Sequence, residues 1–169
     1  GYYLAEGGLK QCNKHKAVSF YFGGHEHNTI ALEAYEYCKK IGLNPSHKLR
    51  IKNDETRLVG ESDIYVYLVK DLWFTDWCIT NGGSGCRDHK ISEEVMSWPL
   101  YLKEELIRGY FRGDGHLNLK TQQIIGASVA KVLVYQLKII LAQLGIFSSI
   151  YKMKRQNPKW STCYQLISN

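Results

Sequence analysis

The apolar residues of the first half recur with two different periods, which predict strands and helices in a definite order. Val18, Phe20 and Phe22 occupy every second position, as in a half-buried strand. Tyr35 and Cys38 stand three residues apart, as on one face of a helix. In chain order the pattern predicts a hairpin over residues 9–22, a helix over 28–41 capped by Asn28 or Thr29, strands over 48–52 and 63–68, and a helix over 69–77.

The second half repeats this order of elements. It predicts a helix capped by Ser97 with Pro99 in its first turn, a hairpin over 117–125, a helix over 131–144 and strands near 149–155 and 160–167. Helical spacing places these residues in the core: Leu32, Ile41, Val132, Leu137, Ile140 and Leu144. Gly42 and Gly145 each follow a predicted helix. We therefore expect an α+β fold of two αββαββ repeats, residues 1–88 and 89–169, that meet near the glycine-rich stretch 82–90.

The length and composition of the chain predict a folded domain or two small halves. A chain of 169 residues, 12% of them aromatic, can bury a core and is not a generally disordered sequence. No apolar run approaches the roughly 20 residues that span a bilayer. No basic stretch followed by an apolar one begins the chain, so a signal peptide is not expected.

The charge balance is compatible with a nucleic-acid partner. The chain has 22 basic and 16 acidic residues, a net charge of +6 and a pI near 9.0. Many soluble proteins are equally basic, so the charge alone does not identify the partner. The five cysteines are odd in number and form no CxxC pair. Reduced thiols inside a cell are the expected state, and His25 and His27 lack a third residue at zinc-site spacing.

Two short stretches of the chain have the same pattern of residue types. Residues 1–8 read Gly-Tyr-Tyr-Leu-Ala-Glu-Gly-Gly, and residues 109–116 read Gly-Tyr-Phe-Arg-Gly-Asp-Gly-His. Each has a small residue, an aromatic pair and a second small residue, followed by a carboxylate, Glu6 or Asp114, and a glycine. Two such helix ends predict a pseudo-two-fold site that suits divalent metal ions and a two-stranded substrate.

These stretches resemble a known motif pair. Residues 1–7 and 106–115 resemble the two copies of the LAGLIDADG motif, and the αββαββ order is similar to that of the LAGLIDADG homing endonucleases. Residues 83–91 resemble the segment before the second motif in intein-encoded members, although Ser92 replaces a proline. The first motif helix is short, the second repeat ends at its last strand, and the splicing blocks of an intein are absent. The chain therefore resembles an endonuclease core from a larger intein- or intron-encoded protein.

The resemblance implies the fold and the catalytic residues. It implies two antiparallel sheets that form a DNA-binding saddle, with motif helices that pack side by side through small residues. Glu6 and Asp114 are then the catalytic carboxylates that bind Mg²⁺, with the backbone carbonyls of Ala5 and Gly113 as further metal ligands. Lys90 is the candidate for a basic catalytic residue near the attacking water, and His89 lies next to it.

The predicted strands carry the side chains expected to contact duplex DNA. Alternate residues of a β-ribbon can reach base edges in the major groove, while Lys and Arg also bind phosphates. The candidates are Lys10, Lys14, Lys16, Lys48, Arg50, Lys52 and Arg57 in the first repeat, and Asn118, Lys120, Gln122, Lys152, Lys154, Arg155 and Lys159 in the second.

The function implied by the resemblance is that of an intracellular endonuclease, in the cytoplasm, nucleoid or an organelle matrix. We expect a monomer that hydrolyses both strands of a long double-stranded DNA target with Mg²⁺, without membrane association. Two alternatives share the same fold. One is an RNA maturase that assists intron splicing, and the other is a DNA-binding regulator that does not cleave.

Overall fold

The computed structural model describes residues 1–12, 15–52, 62–153 and 161–168. The helices are α1 (Tyr2–Glu6), α2 (Leu32–Lys40), α3 (Leu72–Gly82), α4 (Glu93–Met96), α5 (Leu100–Asp114) and α6 (Lys131–Gln143). The strands are β1 (Gly7–Cys12), β2 (His15–Gly23), β3 (Ser46–Lys52), β4 (Ser62–Val69), β5 (Gly115–Asn118), β6 (Gln123–Ser128), β7 (Ser148–Met153) and β8 (Cys163–Ser168). This order confirms the predicted α+β class with two antiparallel sheets. Asn53, Asp54 and Glu55, a sequence typical of a turn, lie outside the described residues.

The chain divides into two compact units. One consists of Gly1–Ala5 together with Cys78–Asn169, and the other is Glu6–Trp77. In the part of the chain that the structure describes, no helix is both long and apolar enough to cross a membrane.

The unit Glu6–Trp77 is built on an antiparallel sheet of order β1-β2-β4-β3. Phe20 is paired with Tyr67, so both occupy the same face of the sheet. Helix α2 packs on this face, where the rings of Tyr35 and Tyr67 lie 5.4 Å apart. The alternation of apolar residues in β2 therefore creates the face that α2 covers. The opposite face, termed the outer face of the first sheet, carries Tyr21 and the residues in register with it.

The second unit contains a sheet with the equivalent order, β5-β6-β8-β7. Helices α5 and α6 pack against it. Leu133, Leu137 and Ile140 on α6 are fully buried, as is Leu166 on β8. A Cβ on Gly126 would lie 2.9 Å from Cε1 of Phe111, so the missing side chain allows α5 to approach β6 closely. This sheet also has an outer face, which carries Tyr151 and Gln165.

Some helix boundaries differ from those predicted. A π-helical turn over His27–Ala31 precedes α2, and Thr29 Oγ1 donates to the carbonyl of Glu26, at 3.1 Å, instead of capping the helix. Ser97 follows α4, whose true N-cap is Ser92; the Ser92 hydroxyl accepts from the amide of Val95 at 3.2 Å. Pro99 occupies the N-cap position of α5. The glycines at 42 and 145 adopt positive φ angles of 83° and 80°, which confirms them as helix ends.

Candidate active site

Helices α1 and α5 contact each other through backbone atoms at Gly1 and Gly109. A Cβ on Gly1 would lie 2.5 Å from Cα of Gly109 and 2.5 Å from the carbonyl oxygen of Leu106. A Cβ on Gly109 would lie 3.1 Å from Cα of Gly1. A side chain on Gly1 does not fit between the two backbones, and the space beside Gly109 is tight, which confirms the predicted small-residue contact for this pair.

The two candidate carboxylates occupy the same position in their helices. Glu6 is the last residue of α1 and Asp114 is the last residue of α5, and each helix passes directly into a strand that begins with glycine. A Cβ on Gly115 would collide with the carbonyl oxygen of Phe111, so only glycine fits this sharp change of direction. A carboxylate at a helix C-terminus opposes the helix dipole. Because a carboxylate stands at the C-terminus of both α1 and α5, a functional role for these residues is favoured over a stabilising one.

The end of α5 is fixed on its sheet by an aromatic pair. The ring of Tyr110 is buried, and its hydroxyl donates to the carbonyl of Ala127 at 3.3 Å. The Phe111 ring packs edge-on against Tyr110 with centroids 5.4 Å apart. Burial raises the pKa of Tyr110, and the negative charge of Asp114 raises this pKa further. The Asp114 carboxylate therefore lies close to the buried Tyr110 side chain.

Helix α1 is fixed by the segment 82–92, termed here the clamp loop. The Tyr3 hydroxyl donates to the carbonyl of Gly83 at 2.6 Å. Nδ1 of His89 lies 3.0 Å from the carbonyl oxygen of Leu4. Gly82 has to lack a side chain, because a Cβ there would lie 2.6 Å from the Tyr3 ring. Two hydrogen bonds therefore join α1 to the same loop.

Lys90 lies in the clamp loop between two buried residues. His89 is 3% exposed and Ile91 is 2% exposed, whereas the Lys90 side chain is exposed. The Lys90 amide donates to the carbonyl of Gly82 at 3.2 Å. The side-chain amide of Gln136 accepts from the Ile91 amide at 2.7 Å and donates to the Ile91 carbonyl at 2.6 Å. Hydrogen bonds thus anchor the backbone around Lys90, while its side chain is exposed.

Sequence reasoning missed the roles of Tyr3 and Gln136. Tyr3 belongs to the repeated aromatic pair, which was a signal for a structural role, but its partner Gly83 is 80 residues away. Gln136 lies on a predicted helix and binds a loop 45 residues earlier. Nothing in its sequence neighbourhood indicates that contact.

The donor chemistry at the helix ends fits a hard divalent cation. Glu6 and Asp114 supply carboxylate oxygens, and the carbonyls of Ala5 and Gly113 lie one residue before them. Oxygen ligands of this kind suit Mg²⁺, which retains several water ligands. Among the described residues, no group of three or more His, Cys, Asp or Glu is arranged to hold a metal ion.

In the first sheet, the register separates the predicted DNA-contacting lysines. Lys10 is paired with Ala17 and lies on the outer face, whereas Lys16 is paired with Gln11 and lies on the face that α2 covers further along the sheet. Backbone positions 48, 50 and 52 pair with 66, 64 and 62, and Tyr21 also pairs with 66. Positions 48, 50 and 52, which are those of Lys48, Arg50 and Lys52, therefore share the outer face with Lys10.

In the second sheet, the predicted residues have different environments. Asn118 ends β5, and its Oδ1 accepts from the amides of Lys120 and Thr121, at 3.1 and 3.4 Å. Lys120 and Gln122 lie in the connecting turn, where Gln122 has a φ of 56°. Lys152 is exposed on β7 and in register with Tyr164, on the helix-packed side of the sheet. Five predicted residues lie outside the described part of the chain: Lys14, Arg57, Lys154, Arg155 and Lys159.

Comparison with known proteins identifies related sequences. The family model described as a LAGLIDADG-like domain matches residues 102–169. An uncharacterized protein of Methanocaldococcus jannaschii, MJ1054, is 30% identical over 161 residues, which is 90% of this chain and 17% of that protein. The DNA-directed RNA polymerase subunit Rpo1C of the same organism is 31% identical over 159 residues, which is 92% of this chain and 16% of the subunit. The chain thus spans about a sixth of the length of these relatives.

Comparison with solved structures identifies the fold. The homing endonuclease I-DmoI in complex with DNA and calcium matches 99% of this chain and 78% of its own with a TM-score of 0.63, at 12% identity. The N-terminal LAGLIDADG domain of DUF199/WhiA matches 99% of this chain and 71% of its own with a TM-score of 0.59, at 12% identity. At these identities the likeness establishes the fold alone. The match to the family model over residues 102–169, together with the repeated motif and this fold, supports membership of the LAGLIDADG family.

Proposed function

We propose that the protein is a site-specific DNA endonuclease that hydrolyses both strands of a long duplex target in a Mg²⁺-dependent reaction. The equal offset of two carboxylates from a backbone contact is the observation that carries this proposal. Gly1 and Gly109 are in contact, and Glu6 and Asp114 each stand five positions later along their helices. Two equivalent carboxylates match the two equivalent bonds to be broken in duplex DNA.

The helix ends supply the groups that would hold the metal. Glu6 and Asp114 would bind it through their carboxylates, and Ala5 and Gly113 through their carbonyl oxygens. When bound, Mg²⁺ acidifies a water molecule and neutralises charge on the phosphate that is attacked. Because the backbone at the end of α5 is held by Tyr110 and Phe111, Asp114 needs little reorganisation to reach a productive position.

Lys90 is the proposed electrostatic partner of the attacking water. Its exposed ammonium group projects from a backbone segment fixed by His89 and Ile91. A fixed cation stabilises charge that develops on a phosphate more effectively than a mobile one. The second repeat has no residue assigned to this role.

Duplex DNA is the proposed partner of the outer faces of the two sheets. Lys10 lies on the outer face of the first sheet, and the backbone positions of Lys48, Arg50 and Lys52 share that face. The outer face of the second sheet carries uncharged polar groups such as those of Tyr151 and Gln165. Basic residues suit phosphate contacts, and amide side chains suit adenine edges.

The sequence relatives support an origin as an inserted element. The shared segment is about a sixth of an RNA polymerase subunit and about a sixth of a second protein. A segment that forms a small part of different long proteins can have a function separate from that of its host protein. We therefore propose that the chain is the endonuclease part of an intein- or intron-encoded protein.

Cleavage of a large randomised duplex library tests the proposed function. The folded protein is incubated with Mg²⁺ or with EDTA, and the cut ends are sequenced; the Asp114→Asn variant is the matched control. Metal-dependent cuts at one shared long sequence, absent in the variant, are the expected result. Enrichment of bound DNA without cuts would replace the proposal with a DNA-binding regulator, and preference for structured RNA would replace it with a maturase.

A further inference from the structure

The clamp loop contacts α1 at the end of the helix that carries Glu6. Leu4 is the third residue of the five-residue helix, and the last carbonyls of any α-helix lack donors within the helix. His89 supplies a donor to the Leu4 carbonyl from the clamp loop. A short helix forms few internal hydrogen bonds, so an external donor at its end has a large share in fixing its geometry.

The hydrogen bond determines the tautomer of His89. The Leu4 carbonyl can only accept, so Nδ1 carries the hydrogen and Nε2 of the neutral ring carries a lone pair. Nε2 is buried and has no hydrogen-bond partner among the described residues. Burial lowers the pKa of His89, and this effect exceeds the opposing influences of the Leu4 bond and the Asp88 charge. A buried imidazole with an unsatisfied nitrogen is costly to retain unless its other nitrogen has a role.

The surroundings of the His89 ring support a role at Nδ1. The Tyr3 ring lies 5.5 Å from the imidazole and restricts its rotation. Gly83 begins the turn that returns the chain to His89; its φ is +85°, and a Cβ there would collide with the Asp88 carbonyl. The turn therefore requires glycine at position 83, and the chain that follows it places Nδ1 of His89 beside the Leu4 carbonyl, with Lys90 one residue further on.

We propose that His89 is a positioning residue for the cleavage reaction. Its Nδ1–H holds the end of α1 and the backbone of Lys90 in one fixed arrangement, so that Glu6 and Lys90 act without first being ordered. This inference rests on the proposed endonuclease function. His89 does not contact the substrate in this scheme; it acts through the two residues that do.

Three substitutions at one position separate a directed hydrogen bond from general packing. In His89→Asn the side-chain amide nitrogen takes the place of Nδ1. In His89→Gln the amide nitrogen lies nearer to the position of Nε2. His89→Leu has no side-chain donor. We expect His89→Asn to keep most of the single-turnover cleavage rate. His89→Leu and His89→Gln should lose about 100-fold, the loss expected for a displacement of about 1 Å at a catalytic group. DNA affinity, measured with Ca²⁺ in place of Mg²⁺, should stay within about twofold because phosphate contacts are unaffected.

A matched control removes the other bond between the same two segments. Tyr3→Phe deletes the hydroxyl that donates to Gly83 but leaves the bond at the end of α1 intact. Its melting temperature should fall about as far as that of His89→Leu, while its cleavage rate remains near that of the wild type. Equal rate losses in Tyr3→Phe and His89→Leu would show that only stability matters and would overturn the proposal.

A second measurement does not depend on cleavage. The amides of Leu4 and Ala5 bond to the Gly1 carbonyl at 2.9 and 3.3 Å, and their hydrogen exchange reports the order of α1. In metal-free protein we expect about tenfold faster exchange there in His89→Leu, but not in His89→Asn, with unchanged exchange in α6. Unchanged exchange in α1, or Asn behaving as Leu does, would refute the role of His89. Wild-type protein that never cleaves would refute the proposed function instead, while the exchange data would still decide whether His89 orders α1.

Discussion

Gly1 and Gly109 touch through their backbones, and this contact leaves no room for a side chain on Gly1. A Cβ on Gly109 would lie 3.1 Å from Cα of Gly1, a distance that a shift of a few tenths of an ångström can relieve. Gly109→Ala should therefore change the free energy of unfolding by less than about 1 kcal/mol, since better helix propensity offsets the crowding. Gly109→Leu should cost about 3 kcal/mol because the helices have to separate. Urea denaturation of both variants checks this, with Glu105→Leu on the exposed face of α5 as the control.

The two motif carboxylates should be required for cleavage but not for binding. Glu6→Gln and Asp114→Asn keep the size of each side chain and remove the charge that would hold a cation. We expect cleavage to fall by at least about 100-fold in each variant, with DNA affinity retained. Single-turnover cleavage and a gel-shift titration measure the two properties separately. Glu94→Gln neutralises an exposed carboxylate in the unit that contains Asp114 and should have no effect on either property. Full activity in Asp114→Asn would refute the site.

Lys90 should contribute to the rate rather than to affinity. Lys90→Ala removes a cation from a backbone segment held by two buried neighbours, so the fold should survive the change. The cleavage rate should fall by about 100-fold or more, and Lys90→Arg should recover part of it. Lys131→Ala is the control, because this lysine is exposed and its ammonium group makes a cation–π contact with the Tyr135 ring, 5.7 Å from the ring centroid. A rate loss that disappears at saturating DNA would instead assign Lys90 to binding.

The periodicity of the sequence predicts the sheets and the main helices because each half buries one face against its own helices. Some residues that helical spacing assigns to the core are exposed in the structure. Val132 is 58% exposed although Leu133 beside it is fully buried, because helical spacing does not distinguish neighbouring edges of an apolar stripe. Ile41 is 63% exposed because α2 ends at Lys40 and Ile41 is its C-cap, beyond the packed face of the helix.

The two motif carboxylates of the candidate site could be predicted from the sequence, whereas the hydrogen bonds that hold α1 in place could not. Glu6 and Asp114 each follow a small residue at the same spacing, and this repeat is visible in the sequence itself. The bonds of Tyr3 to Gly83 and of His89 to Leu4 join residues 80 and 85 positions apart. Only the folded chain brings such residues together, and a single histidine next to a lysine gives no indication that it will be buried.

Tyr110 should make the stability of the protein fall at high pH. Its pKa is raised by burial and by the charge of Asp114, so the unfolded chain ionises first, near the ordinary tyrosine value of about 10. The contribution is fully present below that pH and is lost as the pH rises toward the folded-state pKa. Urea denaturation at pH 9 to 11 should show a steeper decline for the wild type than for Tyr110→Phe. Tyr101→Phe changes a tyrosine that is 67% exposed and should leave the slope unaltered.

Lys10 and Lys16 provide a matched test of which sheet face binds DNA. Both are exposed lysines in one hairpin, but Lys10 lies on the outer face and Lys16 on the opposite face. Each phosphate contact contributes about 0.9 to the slope of the logarithm of affinity against the logarithm of salt concentration. Lys10→Ala should reduce that slope by about this amount and weaken binding at low salt, whereas Lys16→Ala should leave both unchanged. Fluorescence anisotropy on duplex DNA between 50 and 200 mM salt measures the slopes. An equal reduction in both variants would mean that the hairpin binds through its edge or tip, and a reduction in Lys16→Ala alone would place the DNA on the helix-packed face.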